Sequence, residues 1–530
     1  MSAGDMPRVA IVGGGLAGLA AAAALVRAGG VQVRLYEARR RLGGRAASFR
    51  DPAQDEWVDH CQHVSMRCCT NLADFCRRTG LHDAFETHRV LHFIGPDGRR
   101  YDFAGSRSWP APLHLAGALW RLKFLSPGDR IGIARALFKL ARLNDGELLH
   151  QTTTADWLRQ QRQSPRAIEQ FWELVLQSAL GESVEHASLL YARKVFVAGF
   201  MAAHAAYEVE IPTLPLGQLY GTRLERWLAE QGVELRMASA VQQIEVCDGQ
   251  AAAICLRAAE AGSQRRPQAL AVRDATGADQ ARARPEETFE DDNAHLAENL
   301  RREPCDYVIV AAPWRHVPGL FDAEALQRLP SVTQMTQIES SPIAAVHLWF
   351  DRPITELPHA VLVGRLSQWV FRRPLSDAGD AITSGEGERS AIDRPGVHYY
   401  QVVISASRSL QGRPRDEVVA EVVADLKAAF SQASEASLLR AKVVSDPHAV
   451  FSVRPGIDDL RPSQQTEVAN LFLAGDWTQT TWPATMEGAV RSGYLAAEAL
   501  LASLGRPTQC VMDDLPSGWL AKRLIRPVRE

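Results

Sequence analysis

At 530 residues, 46% of them apolar, the chain exceeds what one hydrophobic core supports, and two or three domains are expected. A net charge of -3, from 59 basic and 62 acidic side chains, gives no general attraction for nucleic acid, and none is expected as a partner. Eight scattered cysteines fit reduced thiols in a cytoplasmic protein, and the sequence shows neither a signal-peptide pattern nor an apolar run of about 18 residues.

Residues 8 to 45 read RVAIVGGGLAGLAAAAALVRAGGVQVRLYEARRRLGGR. Arg8 to Val12 is an apolar strand, Gly13-x-Gly15-x-x-Gly18 a turn, and Leu16 to Ala28 an Ala/Leu helix stopped by Gly29-Gly30. A second strand from Val31 to Tyr36 then closes on Glu37, completing a βαβ unit. Gly13 permits the tight turn, Gly15 lets backbone approach a pyrophosphate, and Gly18 lets helix and strand pack closely, with the helix N-terminus facing the phosphates. Glu37, nineteen residues past Gly18, is placed to accept hydrogen bonds from a ribose diol and to repel a 2'-phosphate. The unit predicts a dinucleotide site and leaves NAD and FAD open.

Further along, Cys61, Cys68, Cys69 and Cys76 lie near His60 and His63 without a CxxC pair. Leu72, Phe75, Cys76 and Thr79 recur at helical spacing, as thiols buried as small hydrophobes do, so no metal site is expected. Arg107 to Arg142 carries Arg107, Arg121, Lys123, Arg130, Arg135, Lys139 and Arg142 against the single acid Asp129, a local +6. Trp109, Trp120, Phe124, Leu137 and Phe138 are interspersed, and the tail from Trp519 (WLAKRLIRPVRE) repeats the mixture. Such a pattern fits either an interfacial membrane surface or a solvated basic face over a buried apolar side; together the two regions favour peripheral membrane contact. Residues 257 to 303, rich in Ala, Arg, Glu and Asp without an apolar period, read as a solvated insertion, and 375 to 396 as a second loop.

The final stretch, NLFLAGDWTQTTWPATMEGAV from Asn470, joins an apolar run ending in Gly475-Asp476 to a small-residue helix starting near Thr485. With EARRRLGGR after the first unit, it resembles the FAD-dependent amine oxidase and phytoene desaturase superfamily. That resemblance implies an acid, here Asp476, at the ribityl or phosphate region. It also implies a helix N-terminus, the backbone around Met486, Glu487 and Gly488, at the flavin pyrimidine, where it would stabilise the anionic N1 and O2 of reduced flavin. Arg45 would lie near the pyrophosphate, Gly43 and Gly44 would let the chain pass the flavin, and Val241, in residues 219 to 246, would contact adenine through its backbone. CDYVIVAAP, Cys305 to Pro313, is the strand that returns the chain to the nucleotide domain.

At finer grain, VDHCQHV (58 to 64) and residues 470 to 493 resemble the squalene-associated FAD-dependent desaturases, or hydroxysqualene dehydroxylases. Cys61 stands where that family generally has Gly, which raises the question of positive φ there. The resemblance implies an α/β fold: a Rossmann-type FAD-binding domain assembled from discontinuous segments, with an inserted mixed α+β substrate domain and a helical subdomain. FAD-binding segments are expected at 1–106, 205–256, 304–330 and 446–505, a helical, possibly membrane-facing subdomain at 107–204, the solvated insertion at 257–303, a substrate domain at 331–445 and a basic amphipathic tail at 506–530.

The activity implied is reductive dehydroxylation of hydroxysqualene to squalene, in hopanoid and squalene biosynthesis, by hydride from reduced FAD. Such chemistry needs an apolar site for a long isoprenoid substrate and a proton donor for the leaving hydroxyl. His63 is the candidate donor, the alternative being a histidine merely hydrogen-bonded near the cofactor; Trp482 either walls the flavin or packs. FAD should be held non-covalently, since residues 470 to 501 contain no His or Cys, leaving His63 and Cys61 as the alternative anchors. The reductant is an external electron donor that no motif identifies, and the location is cytoplasmic, on the inner face of the membrane. A carotenoid-type desaturase and a non-catalytic flavin-binding partner of a terpenoid synthase are the competing readings. Amine oxidation is less favoured because SVTQMTQIESSPIAAVHLWF (331 to 350) lacks the lysine such enzymes commonly place near the flavin.

Overall fold

The computed structural model describes residues 6–51, 56–257, 300–373 and 396–528. The nucleotide unit takes the expected form: strand Arg8–Val12, helix Leu16–Ala28 and strand Gln32–Tyr36. These join a five-stranded, all-parallel sheet ordered Glu234–Arg236, Gln32–Tyr36, Arg8–Val12, Tyr307–Val310, Leu471–Leu473. Its strands come from four distant stretches of chain.

Two helices sit together on this sheet, Leu16–Ala28 and Met486–Ser503. They approach closely because small residues line the seam. Ala20 to Ala22 are fully buried, and a Cβ on Gly493 would come within 2.2 Å of the Ala17 carbonyl oxygen.

The second large sheet has seven strands, ordered Leu438–Phe451, Ser340–Phe350, His398–Ser405, Trp369–Arg372, His359–Leu362, Leu91–Ile94, Arg100–Phe103. All neighbours are antiparallel except His359–Leu362 with Leu91–Ile94. Alternation sorts strand Ser340–Phe350: Ala344, Val346, Leu348 and Phe350 pack with Val418, Val422 and Leu426 of helix Arg415–Ala429, so His347 and Trp349 point the other way. This sheet corrects two expected boundaries. Leu91–Ile94 and Arg100–Phe103, read above with the first nucleotide segment, are strands of the substrate sheet, and Leu438–Phe451 runs past 445. Short strands like these carry no mark of which sheet they will join, because pairing is set by partners remote in sequence.

A three-stranded antiparallel sheet, Val241–Cys247, Gln250–Arg257 and Leu300–Pro304, flanks the nucleotide sheet. Of the expected 257–303 insertion, residues 258–299 lie outside the described residues, as do 375–395 of the second loop. Helices fill most of residues 113 to 201 around Trp157, Trp172 and Phe196. Among the described residues no helix is long and apolar enough to cross a membrane.

Candidate flavin site

The glycine turn is built by close approach. Gly13 has φ +116°, where a Cβ would meet the Ala311 carbonyl oxygen at 2.6 Å, and a Cβ on Gly18 would meet the Gly13 oxygen at 2.0 Å. Helix Leu16–Ala28 starts at Gly15 without a side-chain cap, and Leu16 and Ala17 are buried. Their first-turn amides have no intrahelical acceptor, so this N-terminus needs an outside one, as a pyrophosphate supplies. The RLGGR turn lies against it: Gly43 donates its N–H to the Gly14 carbonyl (2.9 Å), and Gly15 bridges Gly43. Gly44, at φ +61°, stacks on Gly15, with 3.0 Å between its would-be Cβ and the Gly15 Cα. This is a side-chain-free cradle of the kind a dinucleotide requires.

Glu37 is buried at the edge of that cradle. Its Oε2 accepts from the Gly14 N–H and its Oε1 from the Arg39 N–H, both at 2.8 Å, which fixes the carboxylate and leaves lone pairs for a diol. Ser239 donates its amide to the Glu37 carbonyl (2.8 Å) and Ala238 to that of Arg39 (2.9 Å), so the stretch leading into Val241 runs beside the acid. Residues that the sequence separates by two hundred positions thus meet where ribose and adenine would lie.

The C-terminal motif closes the other side. Asp476, 3% exposed, accepts from Arg45 Nη2 at 2.6 Å, and the Gly475 amide donates to Ser492 Oγ at 2.8 Å. Helix Met486–Ser503 begins at Thr485, whose Oγ1 accepts the Gly488 N–H at 3.1 Å. Met486 and Glu487 keep the free amides of the first turn. The Glu487 side chain faces elsewhere: its carboxylate accepts from Asn71 Nδ2 (2.9 Å) and the Leu72 amide (2.8 Å), capping helix Thr70–Arg78. Its contribution to a flavin is therefore its backbone alone. Met486 Sδ receives the Tyr220 hydroxyl at 3.7 Å.

Sequence reasoning missed the residue that shapes this loop. Arg461, fully buried, donates through Nη2 to the carbonyls of Asp476 and Trp482 and to Thr480 Oγ1, each at 3.0 Å, and also to the Thr478 carbonyl. Its Nη1 bonds Asp458 (2.9 Å) and Tyr191. One planar guanidinium thus organises the loop between Asp476 and the flavin-facing helix. An arginine between Leu460 and Pro462 offers no local signal of this.

The VDHCQHV segment divides its roles. Asp59 is a buried clamp that accepts from Ser48 Oγ (2.5 Å) and the Leu216 amide (3.0 Å) and pairs with Arg373. Cys61 does not take positive φ, so the departure from Gly leaves the backbone path intact. His63, the candidate donor, has its ring tautomer fixed by the backbone. Its Nδ1 lies 2.9 Å from the Cys61 carbonyl, which can only accept, so Nδ1 carries the hydrogen and Nε2 is the lone-pair nitrogen. Burial pushes its pKa down, ahead of the opposing pull of that carbonyl, so at neutral pH the ring holds no spare proton. Trp482, 6% exposed, packs with Cys68, Ala203 and Ala206. Leu72, Phe75 and Cys76 are buried on helix Thr70–Arg78, the arrangement expected of structural thiols.

Known proteins agree with this geometry. A hydroxysqualene dehydroxylase of Sinorhizobium fredii is 27% identical over 504 residues, covering 94% of this chain and 99% of that one. A 15-cis-phytoene desaturase of Synechococcus elongatus is 25% identical over 525 residues, covering 94% and 98%. Among solved structures, the cyclohexylamine oxidase of Brevibacterium oxydans superposes with a TM-score of 0.62 at 16% identity, over 94% of this chain and all of that one, a likeness of fold. The family described as flavin containing amine oxidoreductase matches residues 16–501. The match spans helix Leu16–Ala28, the RLGGR cradle and the Asp476 loop, and the chain belongs to this family of flavin-dependent oxidoreductases.

Proposed function

We propose that the protein is a hydroxysqualene dehydroxylase that binds FAD non-covalently and works at a membrane surface. The observation that carries the reading is the stretch from Asn470 to Gly493, whose Trp-Pro-Ala-Thr-x-Glu-Gly-Ala core is folded onto the flavin cradle, together with relatives of that name aligned over nearly the full chain. Bound reduced flavin supplies a hydride. Glu37 and the uncapped helix at Gly15 hold the nucleotide, Asp476 and Arg45 fix the bend between the two halves of the site, and the Met486 and Glu487 amides favour negative charge beside them. His63 accepts a proton at Nε2 and so relays one only after taking it up. The absence of lysine from 331 to 350 weighs against amine chemistry.

A membrane-borne substrate also accounts for an otherwise costly surface. Trp109 (55% exposed), Trp120 (55%), Phe138 (47%) and Trp519 (63%) stand out among exposed Arg107, Arg121, Lys123, Arg135 and Lys139. Arg130, counted above with these cations, is buried, stacked 4.6 Å from the Trp120 ring centre and donating to its carbonyl, and takes no part in that surface.

Polyene desaturation is the second reading, favoured by the phytoene and zeta-carotene desaturases that align equally far. Hydride direction separates the two. Chemically reduced protein incubated anaerobically with hydroxysqualene should form one squalene per flavin oxidised. Oxidised protein that instead becomes reduced by a C40 polyene, with no squalene formed from the alcohol, would establish the desaturase.

A further inference from the structure

The chain beyond helix Met486–Ser503 forms a strap across the seam between the nucleotide sheet and the helical region. Arg506 caps the first helix by donating to the Ala28 and Gly29 carbonyls, each at 2.9 Å. Met512 donates its amide to Asn71 Oδ1 (2.8 Å), and Gly518 donates to the Ala202 carbonyl (2.9 Å). Between these anchors the amides of Asp513, Asp514, Leu515 and Ser517 make no bond to described residues, Pro516 has no N–H, and two side chains hold the stretch. Leu515 packs on the Trp482, Cys68 and Ala203 cluster. Asp514 bridges the seam itself: its Oδ2 lies 3.0 Å from Lys194 Nζ on the helical side, and its Oδ1 pairs with Arg491 on the flavin-facing helix.

The arrangement of these charges is unusual in its layering. Lys194 and Arg491 lie over Trp482, 4.6 and 5.5 Å from ring centres, with side chains 22% and 12% exposed, whereas Asp514 is 44% exposed. Arg491 also pairs with the fully buried Glu487 carboxylate at 3.4 Å, so one positive charge remains for Asp514 and it is the outermost member of the cluster, the first that a ligand arriving from solvent would meet. Arg491 Nε and the Trp482 indole N–H, shielded from water, have no partner among the described residues, so these two side chains carry donors beyond those Asp514 uses. A carboxylate that gives one oxygen to each of two cations while carrying one negative charge matches a phosphodiester, which offers two non-bridging oxygens and the same charge. Trp519, 63% exposed, follows the Gly518 anchor directly, and Gly518 lies beside Ala111 of the Trp109 loop, which brings the proposed lipid-facing surface up to the strap.

We propose that Lys194 and Arg491 form a binding site for the phosphate of an anionic lipid, and that Asp514 holds this place until the lipid displaces it and the strap lifts from Trp482. The inference rests on the membrane reading above and adds the residues through which lipid contact reaches the flavin side. Hydrogen exchange at the Met512 and Gly518 amides reports strap opening in the full-length protein. Vesicles of phosphatidylglycerol in phosphatidylcholine should accelerate it, and pure phosphatidylcholine should not; Lys194→Gln should remove the response. Asp514→Ala should accelerate exchange without vesicles, about fivefold for loss of a partly exposed bridging pair. Bound anionic vesicles that leave these amides unchanged or more protected would overturn the proposal, and the same acceleration with inorganic phosphate alone would overturn lipid as the occupant. Wild-type protein that ignores anionic vesicles defeats the membrane reading and the lipid together, while unchanged exchange in Asp514→Ala defeats the latch whatever the vesicles do.

Discussion

Arg45 and Asp476, 431 positions apart, meet at 2.6 Å and tie the two motifs of the flavin site into one wall. Removing either member leaves the other charge with its bond unmade. Asp476→Ala, and independently Glu37→Ala, should weaken flavin binding by roughly 1.5–3 kcal/mol, the worth of a hydrogen bond to a charged group. The flavin-to-protein ratio after gel filtration measures it. Full occupancy in both variants would remove these residues from the site.

Acid precipitation should release the flavin into the supernatant. Burial pushes the Cys61 thiol up to about 12, which keeps it protonated and a poor nucleophile, and the neutral His63 has its Nδ1–H engaged by the Cys61 carbonyl. Yellow colour retained in the pellet would mean a covalent bond at one of these two residues.

Arg461→Met should cost about 3 kcal/mol or more, because the carbonyls of Asp476, Thr478 and Trp482 lose their buried donor together. Thermal unfolding should shift down and flavin occupancy should fall with it. A stable variant with wild-type occupancy would show that the loop holds its own shape.

Stability should decline as pH falls from 6.5 toward 4. Burial holds His347 and His359 down to about 3 and His114 to about 4, so between these values and the ordinary range the unfolded chain binds protons that the folded one refuses. Each contributes a slope of about 1.4 kcal/mol per pH unit in that window. His359, whose pKa is lowered first by burial and then by the neighbouring His88 and His92, offers a test. Denaturant midpoints of His359→Leu should fall less between pH 7 and pH 5 than those of the wild type; an equal fall would mean that His359 titrates normally.

Charge reversal of Arg121, Lys123, Arg135 and Lys139 to Glu should weaken binding to anionic liposomes, by about 1 kcal/mol for each positive charge removed from the surface. Turnover of membrane-presented substrate should drop while flavin content and turnover of detergent-dispersed substrate hold. Undiminished liposome binding would make this an ordinary solvated face.

Local chemistry made the nucleotide unit legible in the sequence alone: glycines at the turn, an apolar strand on either side of an alanine-rich helix, and an acid at the end of the second strand each follow from steric or hydrogen-bonding demands confined to about thirty residues. The Gly475-Asp476 stretch and its helix were visible for the same reason. Tertiary structure decided what depends on distant partners. Leu91–Ile94 joined the substrate sheet because its pairing neighbour is His359–Leu362, some 270 positions away, and it brings its hairpin partner Arg100–Phe103 with it. Glu487 turned to cap helix Thr70–Arg78, since the Asn71 and Leu72 amides at its buried start have no backbone acceptor and no cue within Glu487's own motif reveals them. Burial lowered the pKa of His63 and a carbonyl two residues back set its tautomer, neither of which a residue's identity records. Arg461 and the Asp514 bridge were invisible for the converse reason: a charged side chain reads as surface in a sequence, and only packing shows which one has been drawn inside to hold separate segments together.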